Sequence, residues 1–257
     1  FPPIVLKILR HIYNPGIKFV GNYSSWEEAS KKSTGYNHPE ILQRVRDFAL
    51  KVKRGEAVYE RDGVIFNEIQ YSWPLLAGLL YAAAITGRLR VCDFGGSLGT
   101  TYFQNRMFLQ KISDVKWGIV EQREFVDIGK QDFEDSILRF YYDVDTCIRE
   151  IEPDVLILSG VLQYIHNPFE LLGSLLSYNF NYIIIDRTPF SNRRHIKVQI
   201  VPENIYKTSY PLWIFEEQEF LRVFKEFGYN VITRFKAIDA ELGGYQHLGF
   251  IMEKLYT

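Results

Sequence analysis

The sequence predicts an α/β fold, a mostly parallel sheet with helices packed on its faces, and three observations carry that prediction. Short apolar runs recur along residues 88–186 and are separated by helical stretches, the alternation that yields parallel strands joined by crossover helices. One run, Arg90-Val91-Cys92, ends in the carboxylate Asp93 and drops into Phe94-Gly95-Gly96-Ser97-Leu98-Gly99-Thr100-Thr101, which reads as a tight turn feeding a helix. Two strands then close the chain, 229–235 and 248–253, joined through Gly243-Gly244 in the manner of a hairpin.

Residues 1–87 read as helices linked by loops. Ser24 or Ser25 caps a helix whose first turn carries Glu27 and Glu28. After Pro39, the residues Ile41, Leu42, Val45, Phe48 and Val52 recur at helical spacing, and Trp26 and Tyr36 read as core anchors. Asp62-Gly63 between apolar runs marks a small hairpin. Residues 71–81 read as a buried helix beside the first sheet strand, its N-terminus toward the glycine loop. Tyr71 and Trp73 could there cover a cationic ligand with their aromatic faces.

Further strands follow at 115–120, 138–142, 153–162 with its exit, and 182–186. Arg187, Arg193, Arg194 and His195 make the segment after the fifth strand strongly basic, suited to an anionic group such as a sugar phosphate or a carboxylate. Phe220, Phe224 and Phe227 mark one face of a helix that closes at Gly228.

At 257 residues, 47% hydrophobic and 16% aromatic, the chain can bury a large core as one domain or a domain with a cap. Its 30 basic and 31 acidic residues leave a net charge of −1, so no general pull toward nucleic acid or an anionic membrane is expected. No apolar run reaches the roughly 20 residues that span a bilayer, and no signal peptide is evident. Cys92 and Cys147 lack metal-ligand spacing and read as reduced core thiols of a cytoplasmic protein. The chain begins at Phe1, so it reads as cut from a longer one, with residues 1–9 the tail of a helix.

The chemistry centres on the glycine turn. Bare backbone at the carboxyl end of a sheet strand lets a ligand approach closely. A dinucleotide would set its pyrophosphate on the helix N-terminus, where Asp93 repels it, and Gly-x-Gly-x-x-Gly is absent. A cofactor with a cationic end and no phosphate is attracted instead, and S-adenosylmethionine, with its ammonium and sulfonium, meets that description. Glu121 ends the second strand 22 residues after Gly99, near the roughly 20-residue spacing of a ribose-binding acid.

The spacing Asp93-x-Gly95-x-x-x-Gly99 resembles motif I of the class I S-adenosylmethionine-dependent methyltransferases, with Ser97 standing where that family usually has glycine. Five parallel strands finished by a pair also resemble the family's Rossmann-like seven-stranded sheet, mostly parallel with an antiparallel last strand. The resemblance spans about residues 88–255 and implies a methyltransferase-like domain at 88–257 behind an N-terminal, mostly helical cap at 1–87. Gly21-Asn22-Tyr23-x-x-Trp26 and Asn67-x-x-x-Tyr71-x-Trp73-Pro74 further resemble the LIC12133-type methyltransferases, a bacterial group associated with surface-polysaccharide gene clusters.

The resemblance implies methyl transfer to a small-molecule or glycan-type acceptor. Asp93, Gly95, Gly96, Ser97, Gly99, Glu121 and Ser159 would hold the cofactor, and Asp143, or Asp145 beside it, would face the adenine amino group. Tyr71, Trp73, Arg187 and Arg193 are the candidate substrate contacts, and His166 and His195 the candidate bases. Where many members carry Glu-His after the fourth strand, this chain has Gln163-Tyr164, so that pair does not carry over. A nicotinamide-dependent oxidoreductase and a non-catalytic binding protein of the same fold are the alternatives.

Overall fold

The structure, a computed structural model, describes residues 16–35, 39–203, 205, 207–239 and 241–255. The expectations for Tyr36 and for residues 1–9 fall outside them. Seven strands form the centre: β4 (Leu89–Phe94), β5 (Val115–Val120), β6 (Leu138–Tyr141), β7 (Val155–Ser159), β8 (Tyr182–Ser191), β11 (Tyr229–Lys236) and β12 (Gln246–Lys254). Their order is β6-β5-β4-β7-β8-β12-β11, with β12 antiparallel to both of its neighbours. The other pairings in this set are parallel. This is a Rossmann-like α/β sheet, and its strand order reverses between β4 and β7, where open sheets of this class form a ligand crevice.

Successive side chains on the central strands supply two cores. Val91, Ile157 and Ile184 face one side, where helices α2 (Pro39–Lys53), α3 (Trp73–Thr86), α4 (Thr100–Leu109) and α5 (Arg123–Asp132) pack. Cys92, Leu156, Ile183 and Ile185 face the other, against α6 (Val144–Ile151), α7 (Pro168–Leu176) and α8 (Glu217–Glu226). With both faces covered, the strands must be apolar throughout, which is why they read as continuous runs rather than alternations.

Among the described residues the sheet has ten strands, not the seven expected. β8 continues past Asp186, and its end pairs in parallel with β10 (Thr208–Glu216) at Phe190↔Phe215. β9 (His195–Val201) pairs antiparallel with β10, and β1 (Lys18–Tyr23) pairs antiparallel with β9. The basic segment expected as a substrate loop is thus the end of a strand, a short turn and the start of another. Thr188 and Phe190 are buried there, and β12 hydrogen-bonds this part of β8 along its far edge. The N-terminal region holds a strand of this sheet as well as helices, because β1 finds its partner about 180 residues away.

The remaining N-terminal elements follow the reading. Ser25 caps α1 (Trp26–Lys31), accepting from the Glu28 N–H at 3.2 Å, while Glu28 returns an acceptor to the Ser24 N–H at 2.9 Å. Asp62 (φ +53°) and Gly63 (φ +72°) turn the hairpin of β2 (Tyr59–Arg61) and β3 (Val64–Phe66). Among the described residues, no helix is long and apolar enough to cross a membrane.

Candidate functional site

A cavity of about 810 Å³ opens at the carboxyl ends of β4, β5, β7 and β8. One side of it is the glycine turn. Gly95 (φ +74°), Ser97 (φ +53°) and Gly99 (φ +96°) all lie in the left-handed region, so Ser97 holds a backbone conformation that glycine adopts most readily. Left-handed backbone with a Cβ costs about 1 kcal/mol. Gly96 is required for space: a Cβ there would stand 2.6 Å from Asp93 Cγ.

Asp93 lies under this turn, 1% exposed, with Trp117 Nε1 donating to its Oδ2 at 3.1 Å. Burial pushes its carboxyl up to about 7, against the lowering by Trp117. Glu121 accepts from the Gln122 N–H at 2.7 Å and from the Ser97 N–H, which joins the end of β5 to the turn. Burial raises its carboxyl too. A third acid, Asp186, midway along β8, is pushed up to about 6 by burial and accepts from the Arg187 N–H at 2.8 Å. Two buried carboxylates, Asp93 and Asp186, and the half-buried Glu121 at one crevice constitute a site for a cation and for hydroxyl or amino donors.

The opposite side of the cavity is built from the hairpin, β9, β10, the loop before β12 and β12 itself. Arg187 donates to Asp239 at 2.6 Å and to Asp62, and Arg61 reaches Asp239 at 3.2 Å. Burial opposes ionisation of Asp239, but the two arginines more than offset it and hold the carboxyl well below its usual range. Tyr164 donates to Gln199 Oε1 at 2.9 Å, and Gln199 Nε2 donates to the Tyr210 hydroxyl at 2.8 Å. His247 lines the same cavity at 2% exposure; its Nδ1 lies 3.0 Å from the Tyr245 carbonyl, and burial pushes the ring down to about 4.

The structure brings Asp93, Gly95, Gly96, Ser97, Glu121, Ser159 and Arg187 together on the cavity wall, with Gly99 just behind at the start of α4. Other candidates lie elsewhere. Asp143 caps α6, accepting from the Thr146 N–H at 2.7 Å, and the residue of that turn on the cavity is Tyr142. Asp145 accepts from the Tyr178 hydroxyl. Tyr71 and Trp73 pack on each other and on Phe108, outside the cavity. Their neighbour Ser72, at the cap of α3, faces inward in their place.

His166 pairs with Glu27 at 2.9 Å and stacks on Trp26, and neither His195 nor Arg193 lines the cavity. His195 Nδ1 instead meets Asn22 Oδ1 at 2.9 Å. Arg187 lines the cavity but is already held by two acids, so the basic patch expected for an anionic acceptor is absent from this wall.

Gln163, Asp186, Gln199, Asp239 and His247 were not legible as site residues. Of these, only Asp186 left a signal, an acid closing an apolar strand as Asp93 does. Among the described residues, no group of three or more His, Cys, Asp or Glu could hold a metal ion.

No known protein-family profile and no curated protein matches the chain. Among solved structures, it is similar to the Burkholderia thailandensis 1,6-didemethyltoxoflavin-N1-methyltransferase, solved with its acceptor and S-adenosylhomocysteine, at 14% identity over 87% of this chain and 93% of that one, TM-score 0.44. It is similar to the magnesium protoporphyrin IX methyltransferase of Synechocystis PCC 6803 at 12% identity, over 86% of this chain and all of that one, TM-score 0.48. Human N-acetylserotonin methyltransferase, solved with S-adenosylmethionine, follows at 14% identity over 70% of this chain and 52% of that one, TM-score 0.46. The likeness is one of fold.

Proposed function

We propose that this protein is an S-adenosylmethionine-dependent methyltransferase acting on a hydroxyl or N–H group of a small-molecule or glycan-type acceptor. The observation that carries the reading is Asp93, an acid sealed beneath bare backbone at the sheet's crevice and unpaired with any cation among the described residues. A pyrophosphate would meet that charge and be repelled, whereas a cationic cofactor supplies the counter-charge.

The residues fit the cofactor on their own terms. The cradle at Gly96 would be filled by a Cβ, and Glu121 is oriented by two backbone N–H groups to accept from ribose hydroxyls. When bound, S-adenosylmethionine supplies an electrophilic methyl group and leaves as a neutral thioether. The chain's remaining tasks are to orient the acceptor, exclude water and take the acceptor's proton.

For that proton the reading turns from His166 and His195 to His247. A carbonyl can only accept, so the Tyr245 oxygen fixes the ring proton on Nδ1 and leaves the Nε2 lone pair as the receiving atom. Residues 1–87 belong to the reading as the part that completes the acceptor side. The two buried free cysteines are in keeping with a reducing, cytoplasmic setting. A role in surface-polysaccharide biosynthesis is supported only by the resemblance of the N-terminal segments to the LIC12133-type group.

Calorimetry tests the proposal: S-adenosylhomocysteine binds and NADH does not. Binding of NADH in its place would overturn it.

A further inference from the structure

We infer that Gln163 selects and orients the methyl acceptor, and that the acceptor is an uncharged molecule presenting an O–H or N–H to Gln163 Oε1. The inference rests on the methyltransferase reading and deepens it. Gln163 sits in the first turn after β7 and lines the cavity at 3% exposure. Its Nε2 donates to the Arg187 carbonyl at 3.2 Å. Because the carbonyl can only accept, the amide cannot be turned over, and Oε1 is the end without a partner. A buried acceptor atom without a donor is costly, and a ligand that brings the donor recovers that cost on binding.

The charge of the ligand follows from the rest of the wall. Arg61 and Arg187 are the cations among the described residues lining the cavity, and both are consumed by Asp62 and Asp239. An anion entering here would meet no free positive charge and would face the acids of the crevice. His247 Nε2 adds a second acceptor atom to the same cavity. The wall therefore asks for donors and offers nothing to a phosphate or a carboxylate.

The test is titration of the protein saturated with S-adenosylhomocysteine. The probes are catechol and its dimethyl ether, methyl α-D-glucopyranoside and its tetra-O-methyl ether, and glucose 1-phosphate. At least one hydroxyl-bearing probe should bind ~10-fold or more tightly than its ether and than the phosphate, a margin of about 1.4 kcal/mol. Gln163→Met should shrink the preference over the ether to within ~2-fold while the affinity for S-adenosylhomocysteine stays unchanged. Gln163→Glu, which keeps an acceptor oxygen, should retain the preference and serves as the second variant if the methionine variant does not fold.

Tightest binding by glucose 1-phosphate would overturn the inference, as would donor preference persisting in Gln163→Met, its loss in Gln163→Glu, or no binding by either hydroxyl-bearing probe. A wild-type protein that fails to bind S-adenosylhomocysteine would instead overturn the methyltransferase reading.

Discussion

The two sides of the cavity handle charge in opposite ways. On the glycine-turn side, the buried Asp93 and the half-buried Glu121 are held by N–H donors alone, so their charge is directed into the crevice. Across from them, the charge of Asp62 and Asp239 is spent on Arg187 and Arg61, and what faces the cavity is amide, hydroxyl and imidazole. A cofactor that always arrives with the same cationic end can be met by a fixed counter-charge. An acceptor to be discriminated from close relatives is better met by directional hydrogen bonds, since an unmatched buried polar group is penalised heavily.

The sharpest way to test that division is to alter one side and read the other. His247→Asn should lower kcat by ~100-fold or more, as loss of a general base does, with cofactor affinity unchanged in calorimetry. Loss of cofactor binding in that variant would break the division. Arg187→Met leaves Asp239, whose side chain is only 13% exposed, without its main partner and should cost about 2 kcal/mol in urea unfolding. Adding Asp239→Asn should recover part of that, because the uncompensated charge is then gone.

Asp93→Asn should weaken S-adenosylmethionine ~10- to 100-fold, the range of a lost charge-assisted contact, and weaken neutral acceptors little. The same group sets a pH dependence. With its carboxyl at about 7, Asp93 is protonated in the free protein below that value, so affinity for the cation should rise several-fold from pH 6 to pH 8. The sign for stability is the reverse: a folded value raised above 3.8 means that the free protein loses this group's share of stability as pH climbs towards 7. The smallest effect is on the turn itself, where Ser97→Gly should stabilise by up to ~1 kcal/mol on relief of the left-handed backbone and leave binding intact.

The same two sides differ in how far they could be read from the sequence. The glycine-turn side is written locally: an apolar strand, an acid and three glycines occupy adjacent positions, and strand-end acids recur at set intervals. The acceptor side is assembled from β1, β9, β10 and β12, whose pairings join residues up to about 180 positions apart, and no periodicity announces such partners. His247 and Gln163 look unremarkable in the chain because burial and a fixed amide, not spacing, give them meaning. Tyr71 and Trp73 stood one residue from the inward-facing Ser72, and one residue on a helix is a 100° turn. Asp143 shows that a strand-end acid and a helix cap share one sequence pattern, and in the fold it caps α6.

The ion-pair chain from Asp62 through Arg187 to Asp239 bridges 125 and then 52 positions. During synthesis the glycine turn and its strands emerge first, and Arg187 meets its second carboxylate only 52 positions later. A chain halted before residue 239 would hold every residue of the glycine turn but lack Asp239 and His247 of the opposite wall. The wall assigned to the acceptor is therefore the last part of the cavity to have all its residues translated.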